Sequence, residues 1–449
     1  MSADAAAAPL RAGRAPGAWP GLGHVPALLR DPLALLGSLP GHGDLVEIRL
    51  GRHPAFVLCH PELARQVMTN LRAFDRRGPL FDRVRLALGN GLATAARADH
   101  RRQRLVMQPA FRREHLPGYA SVMGQGIAAA MGRWRDGQLV DMVPEMFRLT
   151  TGIAVRALFS AQLSAADGEE LQGALDVFLT GIYLRCVSPL AARLPVPANL
   201  RYARAVTSWR RQVGELIGAA RRTGADGDDL MSLLVRSSDE ANGGLSDREL
   251  SDQIAVLLLA GGETTSSAVV WALHLLAGRP GILDALHAEA SAVLGREVAT
   301  WADLPRLPLT ARVLHEALRL YPPAWVILRT SVVEATLAGR VIPAGSMLIF
   351  SPYILHRRAD AFPAPDRFDP DRWLAPDHGR GGPHRESFLP FGTGATRCIG
   401  EDFGLAEAML ILSTLCARWK FTLQPGAPVS PQPRLVLAPK RLPVYLAER

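Results

Sequence analysis

A cysteine near the C-terminal end of the chain has neighbours that suit metal chemistry. Cys398 lies in the run FGTGATRCIG, residues 391–400. Gly394 and Gly400 let the backbone approach a flat cofactor closely, and Phe391 can pack against its edge. The helical pattern that follows would turn its N-terminal dipole toward the sulfur and favour the thiolate. The run therefore predicts a thiolate ligand to a haem iron, although a lone cysteine is more often a small buried apolar residue.

A second run with chemical potential interrupts a long apolar helical pattern. The pattern starts at a capping box, Ser246 with Glu249, and continues to about Ala277. Within it, the glycine pair of AGGETTSS (260–267) costs roughly 1 kcal/mol per glycine, and its hydroxyls compete for backbone carbonyls. The sequence predicts a local kink here, which argues against a membrane span. Glu263 beside Thr264 could relay protons; the alternative is a packing glycine pair with a solvated glutamate.

Two further charged groups have helical spacing. Glu316 and Arg319, in HEALR, are three residues apart and so share a helix face. A zinc-protease motif is excluded because a second histidine is missing. An exposed ion pair of this kind would contribute only about 0–1 kcal/mol. His100 and Arg104 lie four apart in HRRQR, which could equally be a solvated basic helix.

Composition limits the class of protein. The chain has 449 residues, 48% hydrophobic, with a formal charge of +9. The arginines are dispersed and not interleaved with aromatic residues, so nucleic-acid binding is not expected. The four scattered cysteines argue against a disulfide framework and suit a reducing compartment. The N-terminal apolar run is too short for a membrane anchor or a good signal peptide, so we expect a cytoplasmic protein.

Periodicity predicts a mainly α protein with a small β region. Leu45–Leu50 and Ala55–Leu58 are predicted as strands, and Met142–Leu158 and Glu170–Leu184 are among the predicted helices. Residues 1–17 are rich in Ala, Pro and Gly and are predicted to be a disordered tail. No linker divides residues 18–449, which we expect to form one domain.

The four runs FGTGATRCIG, AGGETT, HEALR and PDRF (365–368) together resemble the motifs of the cytochrome P-450 family. The resemblance implies the P-450 fold and a buried haem b with the Cys398 thiolate as axial ligand. It implies a monooxygenase that activates dioxygen: Gly261 leaves room over the haem, Thr264 hydrogen-bonds to the bound dioxygen, and Glu263 relays protons. Rival hypotheses are a haem-thiolate enzyme that uses peroxide or rearranges its substrate, and a non-catalytic haem carrier or sensor.

The same resemblance assigns the remaining charged residues. Thr396 stands where the family usually has Arg or His for a haem propionate. His100, Arg104 and Arg329 are therefore expected to hold the propionates. Glu316, Arg319 and Arg367 would form a buried clamp with a structural role.

Family analogy also places a pocket, with largely apolar walls that favour a hydrocarbon-like substrate. The expected wall residues are Leu80, Phe81, Leu86, Val256, Leu259, Ala260, Trp325, Val326 and Ile327. The segments 43–50, 89–94 and 100–111 are similar to bacterial terpenoid oxygenases of the pentalenene oxygenase type. We therefore expect a cyclic terpene to be hydroxylated or successively oxidised; fatty-acid, macrolide and steroid substrates stay open. No reductase module is seen, so electrons are expected from a separate ferredoxin and ferredoxin reductase.

Overall fold

Helices make up most of the chain, as predicted. The computed structural model describes residues 9–159, 173–174, 177, 181, 194–222, 230–239, 244–374 and 386–449. Most of the predicted helix Glu170–Leu184 lies outside these residues. The helices are α1 Val25–Arg30, α2 Pro32–Ser38, α3 Pro61–Thr69, α4 Pro79–Leu88, α5 Arg97–Met107, α6 Leu116–Met131, α7 Met142–Phe159, α8 Pro197–Arg222, α9 Leu230–Asp239, α10 Asp247–Ala277, α11 Pro280–Leu294, α12 Pro308–Leu320, α13 Pro352–Leu355 and α14 Glu401–Arg418.

Within the described part of the chain, the strands are short and form four sheets. They are β1 Ala12–Arg14, β2 Leu45–Leu50, β3 His53–Leu58, β4 Phe74–Asp75, β5 Leu139–Asp141, β6 Ile327–Ser331, β7 Ala335–Leu337, β8 Arg340–Ile342, β9 Met347–Phe350, β10 Trp419–Leu423, β11 Pro431–Pro433, β12 Leu437–Pro439 and β13 Pro443–Glu448. The predicted strand Leu45–Leu50 is confirmed at both ends, and the strand predicted from Ala55 starts two residues earlier.

The chain divides into two compact units that are each built from separated stretches of sequence. The β-rich unit contains Met1–Gly78, Ala324–Arg367 and Ala375–Cys398. The helical unit contains Pro79–Pro323, Phe368–Leu374 and Ile399–Arg449. Because the stretches alternate along the chain, no single linker marks a boundary in the sequence.

A six-stranded sheet in the order β1-β2-β3-β9-β6-β4 organises the β-rich unit. Strands β2 and β3 pair antiparallel around Gly51, whose φ of +64° suits glycine. Successive side chains point to opposite faces of a strand. Val46 and Ile48 accordingly join one apolar cluster, while Leu45 joins another. Both faces of the sheet are therefore covered.

The N-terminal strand corrects one prediction. Residues 12–14 lie in the tail predicted to be disordered, yet they form β1, which pairs parallel with β2 in the register Ala12 to Leu45. The backbone N–H of Ala15 continues the pairing by donating to the Glu47 carbonyl at 2.9 Å. The prediction of disorder from composition was wrong for these residues because backbone groups hold an edge strand. An Ala/Gly-rich segment has these groups as any other segment does.

The long helix α10 is the central element of the helical unit. Both halves of the predicted capping box are present at Ser246 and Glu249. The helix packs against α7, α8, α12 and α14, and residues from all of these join one apolar core. By length and composition α10 could cross a membrane, but 72% of its most apolar window is buried inside the protein. Burial in a protein core accounts for this apolar character.

The expected interruption of α10 is not a break in the backbone. The helix is α-helical throughout residues 247–277, including the AGGETTSS run. Apolar packing along the helix outweighs the roughly 1 kcal/mol that each glycine costs, since tertiary contacts dominate helix stability in proteins.

Candidate active site

Residues 391–398 of the cysteine run form a tight loop in the β-rich unit. The Cys398 N–H donates to the Phe391 carbonyl at 2.9 Å, and the Arg397 N–H donates to the Gly394 carbonyl at 3.1 Å. Gly394 has φ +66°, and a Cβ there would lie 3.0 Å from the Thr69 side chain and 3.3 Å from the Met68 carbonyl of α3. A side chain at position 394 would therefore strain the backbone and displace α3. The cysteine is exposed, and α14 begins three residues later in the chain.

Arg329 on β6 is a buried cation of the β-rich unit. It is 2% exposed, and its guanidinium donates to the Leu328 carbonyl at 2.8 Å and to Thr396 Oγ1 at 2.9 Å. Its Nε atom is buried without a hydrogen-bond partner. Burial lowers the pKa of Arg329 to about 10, and the charge of Asp75 opposes that shift. Arg329 is therefore still a cation at neutral pH, and it is tied to the loop two residues before Cys398.

These features fit a haem carboxylate. A buried guanidinium with an unsatisfied N–H favours an anionic acceptor, because an unpaired buried donor is costly. Thr396, which lacks the charge that the family usually has at this position, instead accepts a hydrogen bond from Arg329. The donor set around the loop thus suits a propionate group.

In the helical unit, α5 carries the other two expected propionate residues. His100 is 4% exposed and Arg104 is half-buried, one helical turn apart. Between them, Arg102 pairs with Glu249 in the first turn of α10 and donates to the Gly244 carbonyl at 3.1 Å. Gln103 donates to the Asn90 carbonyl at 2.7 Å. The basic run is thus only partly a solvated surface, since Arg102 ties α5 to α10.

The acid–alcohol pair lies in the middle of α10. Thr264 Oγ1 donates to the Ala260 carbonyl at 2.5 Å. Glu263 has a buried Oε2 atom without a hydrogen-bond partner. Burial raises the pKa of Glu263 to about 7, and the charge of Arg434 opposes that shift. Both protonation states of Glu263 are therefore populated near neutral pH.

The two glycines before this pair differ in their surroundings. A Cβ on Gly262 would lie 2.7 Å from Thr151 Oγ1 of α7, whereas one on Gly261 would lie 3.7 Å from Ala154. The hydroxyl of Thr150, also on α7, donates to the Gly262 carbonyl at 2.7 Å. Gly262 is therefore required for close packing of α7 on α10. The expected role of Gly261 beside a haem stays a prediction.

A second buried carboxyl lies close to this part of α10 and was missed in the sequence. Glu407 on α14 is 1% exposed, and neither carboxyl oxygen has a hydrogen bond of normal geometry. Burial raises its pKa to about 8, and the nearby Thr265 hydroxyl offsets part of the shift. A Cβ on Gly404, one turn earlier on α14, would lie 3.6 Å from Thr265 Oγ1. In the sequence, Glu407 resembles any glutamate of a helix.

The expected clamp is present around Glu316, with one correction. Arg319 donates to both carboxylate oxygens at 2.8 Å, and both side chains are fully buried. The third member of the clamp is Arg372, whose Nε donates to Glu316 Oε1 at 2.9 Å, and not the expected Arg367. The Trp373 indole and the Asp369 N–H add bonds of 3.1 and 3.0 Å. The prediction failed because PDR occurs twice, at 365–367 and 370–372, and the second copy forms the short helix that faces Glu316.

The expected pocket residues fall in both units. In the helical unit, Val256 is buried and would meet a Cβ on Gly91 at 2.7 Å. Leu259 is also buried, Ala260 is exposed and Phe81 is half-buried. In the β-rich unit, the half-buried wall residues are Trp325, Val326 and Ile327. The side chains of Leu80 and Leu86 lie outside the described part of the chain.

Comparison with known proteins identifies the family. The cytochrome P450 family model matches residues 16–446. Cyclooctatin synthase from Streptomyces melanosporofaciens is 44% identical over 427 residues, covering 94% of this chain and 93% of that protein. Pentalenene oxygenase from Streptomyces avermitilis is 42% identical over 440 residues, covering 98% of both chains.

A third relative and a solved structure agree with this family match. Cyclooctat-9-en-7-ol 5-monooxygenase from Streptomyces melanosporofaciens is 43% identical over 421 residues, covering 93% of this chain and 91% of that protein. The crystal structure of the cytochrome P450DA heme domain superposes with a TM-score of 0.87 at 26% identity, covering 98% of both chains. The chain therefore belongs to the cytochrome P450 family of haem-thiolate monooxygenases, which use dioxygen and redox partners.

Proposed function

We propose that this protein hydroxylates, or successively oxidises, a cyclic terpenoid at a haem b whose axial ligand is the Cys398 thiolate. The observation that carries the proposal is the buried Arg329 guanidinium, which is bonded to Thr396 and has an unpartnered Nε. Arg329, His100 and Arg104 are the residues that would hold the propionates. Phe391, Gly394 and Gly400 would frame the cofactor. When bound, the haem supplies dioxygen activation, assisted by electron density from the thiolate.

The residues of α10 deliver the protons that dioxygen reduction requires. The Thr264 hydroxyl donates its hydrogen to the Ala260 carbonyl, so its oxygen remains an acceptor that can hold a water molecule. Glu263 has a pKa raised to about 7 by burial, close to the value that an acid–base relay needs at neutral pH. In this scheme Glu263 takes up protons from solvent and passes them along the water that Thr264 holds.

The terpenoid substrate is supported by the relatives. One is named as a synthase of cyclooctatin, one as an oxygenase of pentalenene and one as a 5-monooxygenase of cyclooctat-9-en-7-ol, and these relatives modify terpenoids. The expected wall residues Phe81, Val256, Leu259, Trp325 and Ile327 are apolar, which suits a hydrocarbon skeleton. Fatty acids, macrolides and steroids are the competing substrates.

A binding screen tests the substrate class. Purified haem-loaded protein is titrated with cyclic terpenes, fatty acids, macrolides and steroids while the spin state of the iron is followed by absorbance. We expect cyclic terpenes to cause a saturable change in the absorbance that reports the spin state of the iron. Oxidised products should form when a surrogate ferredoxin pair and NADPH are added. Saturable binding of one of the other classes, with none by terpenes, would contradict the substrate assignment.

Electrons come from a separate ferredoxin and its reductase in this proposal, and the protein acts in the cytoplasm. The chain carries a net charge of +9, which suits docking of an acidic ferredoxin. Turnover should therefore fall as ionic strength rises, because salt screens charge attraction. Turnover that does not change with salt would contradict this docking mode.

A further inference from the structure

The hairpin of β11 and β12 is fixed along α10. The carbonyl of Leu437 accepts a hydrogen bond from Ser267 Oγ at 2.6 Å and from the Trp271 indole at 3.0 Å. The Leu437 N–H donates to the Pro323 carbonyl at 3.0 Å. Ser267 and Trp271 are four and eight residues after Glu263, so all three lie on the same side of the helix. The hairpin is therefore aligned with the stripe of α10 that carries Glu263.

The turn of this hairpin carries Arg434. Its backbone N–H donates to the carbonyls of Gln432 and Val436 at 3.0 and 3.3 Å, which closes the turn three residues before the anchored Leu437. The Arg434 side chain acts on Glu263 through its charge, which opposes the effect of burial on the Glu263 pKa. The hairpin anchored on α10 thus carries a cation whose charge bears on the buried Glu263 carboxyl.

Among the described residues, the groups of α7 and α14 that contact this part of α10 carry no positive charge. Thr150 and Thr151 of α7 are neutral and contact Gly262. Glu407 of α14 faces Thr265 and is itself an acid with a raised pKa. Among the described residues, Arg434 is therefore the cation whose charge bears on the Glu263 carboxyl.

We propose that Arg434 is a positioning residue for proton delivery: its guanidinium, held by the anchored hairpin, sets how readily the Glu263 carboxyl is protonated. This inference rests on the proposed function, in which Glu263 is the proton relay. A cation near the carboxyl stabilises the carboxylate, so loss of Arg434 makes the acid harder to ionise. The relay then stays protonated to higher pH.

The experiment compares Arg434→Gln with Arg434→Lys in the haem-loaded protein. An infrared titration follows the carboxyl band of Glu263, which is assigned by its loss in Glu263→Gln. We expect the midpoint in Arg434→Gln to move to higher pH by roughly 0.5–1 pH unit, as for the loss of one nearby charge. Arg434→Lys keeps the charge and should retain the wild-type midpoint. Arg434→Ala serves as a second neutral variant.

Coupling of NADPH consumption to product is measured over the same pH range. Its alkaline limit should shift with the infrared midpoint in Arg434→Gln, and Arg434→Gln should have no further effect in a Glu263→Gln background. An unchanged midpoint in both neutral variants would overturn the inference, as would a Lys variant that shifts as far as the Gln variant. Normal coupling in Glu263→Gln alone would instead refute the relay role of Glu263, and the infrared result would still decide the role of Arg434.

Discussion

Buried carboxyl groups in two regions of the helical unit have opposite surroundings. Glu316 on α12 accepts hydrogen bonds from two arginines, an indole and a backbone N–H. Glu407 on α14 has no hydrogen bond of normal geometry, and Glu263 on α10 has a buried oxygen without a partner. Burial alone therefore does not decide what a carboxyl group does. The set of partners decides whether it is a fixed anion or an acid that can change its protonation state.

The physical reason is the cost of burying charge. An ion removed from water is stable only when opposite charges and hydrogen bonds replace its hydration. Glu316 has these groups and serves as a structural link. Glu263 and Glu407 have fewer such groups. The Arg434 charge and the Thr265 hydroxyl only partly oppose burial, which raises the two pKa values to about 7 and about 8. Raised pKa values of this kind are typical of functional sites.

Removal of the Glu316 side chain should have the largest effect. Glu316→Ala leaves Arg319 and Arg372 as uncompensated cations, of which Arg319 is fully buried, at a cost of about 3–5 kcal/mol. We expect aggregated or haem-poor protein, measured by soluble yield and by the free energy of unfolding. Glu215→Ala, which breaks the exposed Arg211–Glu215 pair, is the matched control and should cost at most about 1 kcal/mol. A well-folded Glu316→Ala protein with full haem would contradict the clamp.

Glu407→Gln should stabilise the protein at alkaline pH. The folded-state pKa of Glu407 is raised from 4.5 to about 8, so wild-type stability falls as pH rises from 4.5 through 8. The glutamine variant lacks this loss and should be more stable at pH 9 by a few kcal/mol, at most about 5 kcal/mol. Near pH 4 the two proteins should be alike. Chemical unfolding at the two pH values measures this, and parallel stability curves would contradict the buried-acid interpretation.

Glu263→Gln should also stabilise the protein at alkaline pH, but by a smaller free energy than Glu407→Gln. The Glu263 pKa rises from 4.5 to about 7, so the gain in stability reaches its plateau above pH 7 and is at most about 3 kcal/mol. Unlike Glu407→Gln, it should also lower the coupling of NADPH consumption to product. Equal coupling in these two variants would contradict the view that Glu263, and not Glu407, delivers protons.

Thr264→Ala should change stability least, because the Thr264 hydroxyl donates only to the carbonyl one turn back on its own helix. We expect retained haem and an unfolding free energy within about 1 kcal/mol of wild type. Reducing equivalents should be diverted to peroxide, since the water held by Thr264 is lost. The measurement is product formed per NADPH oxidised, and unchanged coupling would show that Thr264 is not needed for proton delivery.

The features that depend on local spacing could be predicted from the sequence. Glu316 and Arg319 are three apart on an apolar helix, and the capping box at Ser246 fixed the start of α10. The sequence did not distinguish Arg372 from Arg367, because both follow Pro-Asp and only tertiary packing selects one. Glu407 was missed since its burial depends on the packing of α14 against α10, which local pattern does not report. The helix α10 continues through the glycine pair because core packing outweighs the cost of the glycines.

The ferrous–carbon monoxide difference spectrum of the purified, haem-loaded protein and of Cys398→Ser tests directly whether the Cys398 sulfur ligates the haem iron as a thiolate. We predict the long-wavelength Soret band of thiolate ligation in the wild-type protein and its loss in Cys398→Ser. A wild-type protein that stays colourless after haem supplementation, or a serine variant that keeps the band, would contradict this ligation.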